Sequence, residues 1–205
     1  MEYQLKINCM LDELTADFKG EVLKDEPLKA HTYFKIGGPA SLFAVPEDTE
    51  DLKTVLKLIK KYEIEHFVMG NGTNLLVSDD GFKGIIVKIG ERFNKLQRDG
   101  NKVTTGAGIL LSSLAKYFAN EGLAGFEFAS GIPGCLGGAV PINAGAYGGE
   151  MKDVVTRVKC MDMDGNIHEF SNEEMEFAYR HTKLSDSEYI VLEAEFMLNP
   201  ANTED

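Results

Sequence analysis

The chain has no tryptophan, three cysteines, four histidines and four arginines in 205 residues, and acidic side chains outnumber basic ones 33 to 21. Each shortage excludes something. A net charge of −12 argues against a nucleic-acid or anionic-membrane partner, because either would demand a basic surface. Cys9, Cys135 and Cys160 are odd in number and widely spaced, which fits reduced cytosolic thiols better than a disulfide framework. His31, His66, His168 and His181 are scattered, and no C-x-x-C or H-x-x-x-H occurs, so no metal site is expected. No apolar run reaches transmembrane length, and the first residues lack a signal-peptide profile, so the expectation is a soluble, cytoplasmic protein. At 43% hydrophobic and 26% charged residues, the chain can bury one substantial core or two small lobes.

What is abundant is glycine, and it is concentrated. Residues 129–149 hold seven of the 21 glycines, and no side chain from Phe128 to Gly149 is formally charged. Glycine allows positive φ and close approach of a ligand to the main chain. Successive N–H groups in such turns form anion-binding nests without lysine or arginine. A flexible linker would be richer in serine and poorer in apolar residues. Here Ile132, Leu136, Val140, Ile142 and Tyr147 are interleaved, so a packed loop is expected, with a phosphate-bearing cofactor against its backbone.

Periodicity supplies the frame. Tyr3, Ile7, Met10, Leu11, Leu14 and Phe18 recur at helical spacing, with Gly20 and Pro27 ending the segment. Short strands are predicted over residues 41–45, 67–69, 75–78 and 85–89, with a helix between the first two, capped by Asp48 or Thr49. Beyond Gly90, Asp99-Gly100-Asn101 marks a hairpin, and residues 110–121 read as a helix stopped by Gly122. A second hairpin is predicted around Asp164-Gly165. Ser171 and Glu174 have capping-box spacing, and residues 190–198 alternate as a final strand. The order is a small α/β lobe followed by a hairpin-rich α+β lobe.

Two smaller motifs have competing readings. Gly70-Asn71-Gly72-Thr73-Asn74-Leu75 follows a predicted strand and could be a tight turn or one side of a pyrophosphate clamp. It lacks the third glycine of G-x-G-x-x-G, as does Gly106-Ala107-Gly108, and no P-loop pattern occurs. Tyr179-Arg180 places one of the rare arginines in an acidic segment. That arginine could bind a carboxylate or pair with a neighbour such as Glu176.

Taken together, residues 31–40, 70–78, 106–108 and 122–128, the glycine run and Tyr179-Arg180 resemble the UDP-N-acetylenolpyruvoylglucosamine reductase (UDP-N-acetylmuramate dehydrogenase) family over about residues 28–199. The resemblance implies an α+β, two-lobed FAD-binding domain of the vanillyl-alcohol oxidase/p-cresol methylhydroxylase type. It would comprise an N-terminal helical segment over 1–27, lobe 1 over 28–90 and lobe 2 over 91–200, with FAD between the lobes. Gly70, Asn71, Gly72, Thr73, Asn74 and Leu75 would receive the pyrophosphate. Gly131, Ile132, Pro133, Gly134, Cys135, Gly137, Gly138 and Ala139, with Asn143, Ala144 and Gly145, would line the flavin and its ribityl-phosphate arm. Tyr179 and Arg180 would face a UDP-sugar substrate, with Arg180 as the catalytic residue and NADPH as reductant.

The chain also departs from the family. Cys135 stands where threonine or serine is common, Pro141 replaces a larger residue, and Thr182 sits where serine is usual. The family's substrate domain, with its serine proton donor and its glutamate, is expected to be absent; Ser185 and Ser187 are poor replacements. Two alternatives remain open: a non-catalytic or complemented flavin-binding module, and a sugar or alcohol oxidase on the same scaffold.

Overall fold

The structure is a computed structural model that describes residues 2–201. The chain divides into two compact units. One comprises residues 1–92 with 163–165, and the other comprises residues 93–162 with 166–205.

In the first unit, helix α1 (Tyr3–Asp17) buries Ile7, Met10 and Leu14, positions that share one helical face. Strand β1 (Glu21–Pro27) pairs antiparallel with β2 (Pro39–Val45). Helix α2 (Thr49–Tyr62) starts at Asp48, whose carboxylate accepts from the N–H groups of Glu50 and Asp51 at 3.0 and 2.9 Å. Glu50 and Asp51 lie in its first turn and Lys60 and Lys61 in its last, charges that favour both ends of the helix dipole. Strands β3 (His66–Met69) and β4 (Phe82–Lys88) complete a sheet of order β1-β2-β4-β3, in which β2, β4 and β3 run parallel. Leu28, Ala40, Phe43, Met69 and Ile86 form a core cluster on this sheet.

Two sequence expectations need correction. The segment after Gly20 is the strand β1, although its burial is slight and it carries Glu21, Lys24, Asp25 and Glu26. An edge strand of this kind is polar on its open side and does not advertise itself by hydrophobicity. Residues 75–78 form no strand. Leu75 and Val77 are apolar because they pack partly buried against the core cluster from a loop.

Asp51 carries a buried carboxylate, 3% exposed, that accepts from the N–H groups of Lys19, Gly20 and Glu47 at 3.2, 2.8 and 3.0 Å. It fixes the path of the chain between α1 and β1. Asp51→Ala is predicted to lower unfolding stability by about 3 kcal/mol, because the three donors lose a charged acceptor in a water-poor site. An unchanged urea midpoint would refute that role.

In the second unit, β5 (Leu96–Asp99) and β6 (Lys102–Gly106) form the first hairpin, with Gly100 at φ +59° in its turn. Helix α3 (Leu111–Asn120) buries Leu111, Leu114 and Phe118 and is followed by Gly122 at φ +65°. The short β7 (Leu123–Ala124), a four-residue helix α4 (Leu136–Ala139) and the small ladder β8 (Gly145–Ala146) with β9 (Gly149–Glu150) come next. Strands β10 (Val155–Met161), β11 (Ile167–Ser171) and β12 (Ile190–Met197) complete an antiparallel sheet of order β11-β10-β12-β6-β5. Strand β13 (Asn199–Pro200) pairs with β7.

Phe118, Phe126 and Phe196 meet edge-to-face, with centroids 5.2–5.8 Å apart, the geometry that aromatic quadrupoles favour. Burial pushes the Cys160 thiol up to about 12, so Cys160 serves packing, not chemistry. Ser171 and Glu174 do bond reciprocally, at 2.8 and 3.3 Å, but the element they cap is one 3-10 turn, Glu173–Met175.

Candidate functional site

The loop after β3 leaves the C-terminal end of a parallel strand, the edge where α/β sheets present ligands. Gly72 is buried there at φ +63°, and a Cβ on it would stand 2.2 Å from the His31 carbonyl oxygen. Only glycine fits. The Gly72 carbonyl accepts from the Tyr33 N–H at 3.0 Å, so residues 31–36 and 70–75 form one folded surface. Asn71 and Asn74 are exposed on it, while Gly70, Thr73 and Leu75 are half-buried. Beside them Tyr33, Phe34 and Leu76 are exposed by 72, 54 and 72%. Contiguous exposed apolar area of that kind, beside a loop with amide and hydroxyl groups, marks a contact surface for a ligand or partner. Nothing in the sequence marks these three side chains as exposed, because an apolar residue at the surface has the same letter as one in the core.

In the second unit the glycine run is docked by its main chain onto residues 107–111. The N–H of Leu136 donates to Ile109 O at 3.0 Å, that of Gly137 to Ala107 O at 2.8 Å, and that of Leu111 to Gly134 O at 3.0 Å. Gly137 faces this seam, where an added Cβ would meet the Ala107 Cβ at 3.0 Å. Cys135, Leu136, Ala139, Val140, Asn143 and Ala144 are buried, and Ile132, Pro133, Gly134 and Gly145 vary between half-buried and exposed. The loop is therefore packed, as its apolar residues suggest, although Ile142 and Tyr147 do not contribute: they are 41 and 97% exposed. Gly131 and Gly138 point the other way. Both are exposed, and a Cβ on either would meet nothing within 4 Å. Bare main chain is thus presented on the outer side of the run.

The same unit carries an open cleft of about 280 Å³ lined by Asn143, Gly145, Tyr147, Glu150, Tyr179, Arg180 and neighbouring residues. Tyr179 and Arg180 sit in a turn closed by two bonds, Ala178 N–H to His181 O at 2.9 Å and His181 N–H to Ala178 O at 3.2 Å. Arg180 adopts φ +53°, the left-handed region. Its Nη2 donates to Gly145 O at 3.1 Å. Arg92, Arg98 and Arg157 pair with Glu47, Glu121 and Glu169, whereas Arg180 makes no ion pair among the described residues. The possible partner Glu176 does not take it. Glu150, which no sequence motif marks, accepts from Asn143 Nδ2 at 2.7 Å and from the Asp153 N–H, and it pairs with Lys152. Its charge is thus compensated before it reaches Arg180.

Pro141 and Thr182, two positions where a departure from the family is expected, are linked by a hydrogen bond. Pro141 O accepts from Thr182 Oγ1 at 2.6 Å and from Ser185 Oγ at 2.7 Å. Ser187 Oγ donates to Leu184 O at 2.9 Å. Both serine hydroxyls are thus engaged by the backbone.

Comparison with known proteins bears on the fold and the family. A family profile described as FAD binding domain matches residues 40–171. The UDP-N-acetylenolpyruvoylglucosamine reductase of Clostridioides difficile is 48% identical over 184 residues, which cover 90% of this chain and 60% of that protein. The crystal structure of the corresponding reductase from Thermus caldophilus superposes with a TM-score of 0.75 at 34% identity, over 91% of this chain and 64% of that one. Substrate-bound p-cresol methylhydroxylase superposes with a TM-score of 0.71 at 15% identity, over 98% of this chain and 44% of that one; the likeness is one of fold. The chain spans about 60% of the length of the reductases it matches. With an α+β fold of the vanillyl-alcohol oxidase/p-cresol methylhydroxylase type and a profile match over most of its length, the chain belongs to the FAD binding domain family.

Proposed function

We propose that the chain is the flavin-holding part of a UDP-N-acetylenolpyruvoylglucosamine reductase, which reduces UDP-N-acetylglucosamine enolpyruvate to UDP-N-acetylmuramate with NADPH in the cytoplasmic synthesis of peptidoglycan precursors. The observation that carries this reading is Arg180, an arginine outside any ion pair among the described residues, held at the rim of an open cleft beside the glycine run.

The residues present fit FAD. Gly131 and Gly138 leave main chain uncovered where a ligand can lie against it. The run has no lysine or arginine, so a phosphate against it would meet main chain; the N–H groups of residues 136–140 are engaged within the protein and hold that surface in place. Residues 131–139 would hold the flavin and its ribityl-phosphate arm, and residues 70–75 the pyrophosphate. When bound, FAD supplies the hydride relay from NADPH to the β-carbon of the enolpyruvyl ether. Arg180 binds the enolpyruvyl carboxylate, in a fork geometry that lysine lacks. As hydride arrives, negative charge develops toward that carboxylate, and the fixed guanidinium stabilises it. Tyr179, 89% exposed beside Arg180, flanks the same anion. Ser185 and Ser187 direct their hydroxyls to backbone carbonyls, and no proton transfer is assigned to them.

The test is direct. The purified chain is expected to take up FAD, turn yellow, and release free flavin on denaturation, since neither glycine-rich loop holds a histidine and Cys135 is buried. Protein that stays colourless after refolding with excess FAD would overturn the proposal. Bound flavin without NADPH oxidation on adding UDP-N-acetylglucosamine enolpyruvate would mark a binding module. Oxygen consumption with a simple alcohol would mark an oxidase.

A further inference from the structure

We propose that Asn143 is a positioning residue for Arg180, acting through its side-chain amide and touching no ligand; the inference rests on the reading of Arg180 given above. Asn143 is 1% exposed and adopts φ +43°, a left-handed conformation that asparagine tolerates better than most residues. Its Nδ2 donates to Glu150 Oε2 at 2.7 Å and to Ala178 O at 2.9 Å, and its Oδ1 accepts from the Lys152 N–H at 3.0 Å. Both amide protons are engaged, and the orientation of the amide is fixed. A flip would turn the oxygen onto a carboxylate and a carbonyl, and the NH₂ onto an N–H.

The three partners lie on two segments. Glu150 ends β9 and caps the 3-10 turn Met151–Asp153 that holds Lys152, and Ala178 opens the turn that carries Tyr179 and Arg180. Ala178 O therefore receives two donors, the His181 N–H that closes the turn and the Asn143 amide that ties it to the glycine run. At the far end of the side chain, the Arg180 guanidinium rests on Gly145 O, two residues beyond Asn143. The backbone and the head group of Arg180 are both referenced to residues 143–145. With no ion pair to the guanidinium among the described residues, this bracket sets where the cation stands in the cleft.

Two substitutions test the bracket. Asn143→Asp keeps the shape but sets a carboxylate against Glu150 and Ala178 O. Asn143→Gly keeps the backbone conformation and deletes the amide. In hydrogen exchange of the full chain, both are expected to raise amide exchange across residues 177–182 by about tenfold or more, from the loss of the bond to Ala178 O together with the charge-assisted one to Glu150 that orients the amide. Peptides from β10, β12 and the first unit should stay unchanged. In the FAD-loaded protein, each should lower kcat for substrate reduction by about tenfold with KM for NADPH unchanged. In an Arg180→Lys background, Asn143→Gly should add less than about threefold, because coupled residues are not additive.

Unchanged exchange at 177–182 in both variants overturns the proposal whether or not flavin binds. So does a uniform rise across the second unit, or full additivity with Arg180→Lys. If the wild-type chain takes up no flavin, the local exchange result still stands or falls alone, and the failure belongs to the reading of function. Should the aspartate variant fail to fold, the glycine variant carries the test.

Discussion

On the proposed function, Arg180→Met in a complete reductase that carries a substrate domain is expected to retain flavin yet reduce UDP-N-acetylglucosamine enolpyruvate at least about a hundredfold more slowly, the usual loss when one fixed donor to a developing anion is removed. The stability cost should be small. Arg180 makes no ion pair among the described residues, and its one protein hydrogen bond goes to the Gly145 carbonyl. Methionine is unbranched at Cβ, as arginine is, so the strain of φ +53° is nearly the same in both. The flavin spectrum and the unfolding midpoint should therefore match wild type while substrate-dependent NADPH oxidation collapses. Arg180→Lys should recover part of the rate, since a point charge replaces a fork. A wild-type rate in Arg180→Met would remove the residue from the mechanism.

The second large effect is expected at Gly138. A side chain there meets no protein atom within 4 Å, and valine is no worse than glycine in a helix interior, so Gly138→Val should change unfolding stability by less than about 0.5 kcal/mol. Yet FAD affinity should fall by about a hundredfold or more, because the added methyl groups would occupy space the ligand needs against the main chain, at roughly 3 kcal/mol for that factor. Gly137→Ala provides the contrast. Its methyl would press on Ala107 at 3.0 Å, so it should destabilise the apoprotein whether or not FAD is present. Equilibrium dialysis with FAD and urea unfolding separate the two cases. A Gly138→Val protein that binds FAD as tightly as wild type would take this surface out of the cofactor site.

What the sequence revealed, and what it hid, follows from the physics of each element. Helices α2 and α3 announce themselves because a buried stripe recurs every three or four residues, Leu52, Val55, Leu56 and Ile59 in one and Leu111, Leu114 and Phe118 in the other. The two long hairpins are marked by Asp-Gly-Asn and Asp-Gly turns. Strand β1 is hidden because its partner supplies the ladder while its own side chains stay largely in solvent. Residues 75–78 mislead in the opposite sense, since burial of Leu75 and Val77 against a core mimics a strand without ladder bonds. The glycine run is legible as a packed, uncharged surface. Which of its residues face inward is not, because loops have no fixed period. The family resemblance implies that Asn143 lines the flavin, and its amide is buried among protein donors and acceptors. The state of Arg180 also depends on tertiary placement, since a nearby acid in sequence, Glu176, says nothing about where either side chain points.

Strand β12 lies between β10 and β6 in the sheet, and this has a bearing on how the chain is made. The hairpin of β5 and β6 and the later hairpin of β10 and β11 share no ladder until residues 190–197 have emerged from the ribosome. At about 5–20 residues per second, the interval from the end of β6 to the end of β12 is roughly 5–20 s. During that time one edge of each hairpin stays open to unwanted pairing. A nascent chain stalled before residue 190 would leave two orphan hairpins, so chaperone dependence and aggregation of prematurely terminated products should concentrate in this half of the protein.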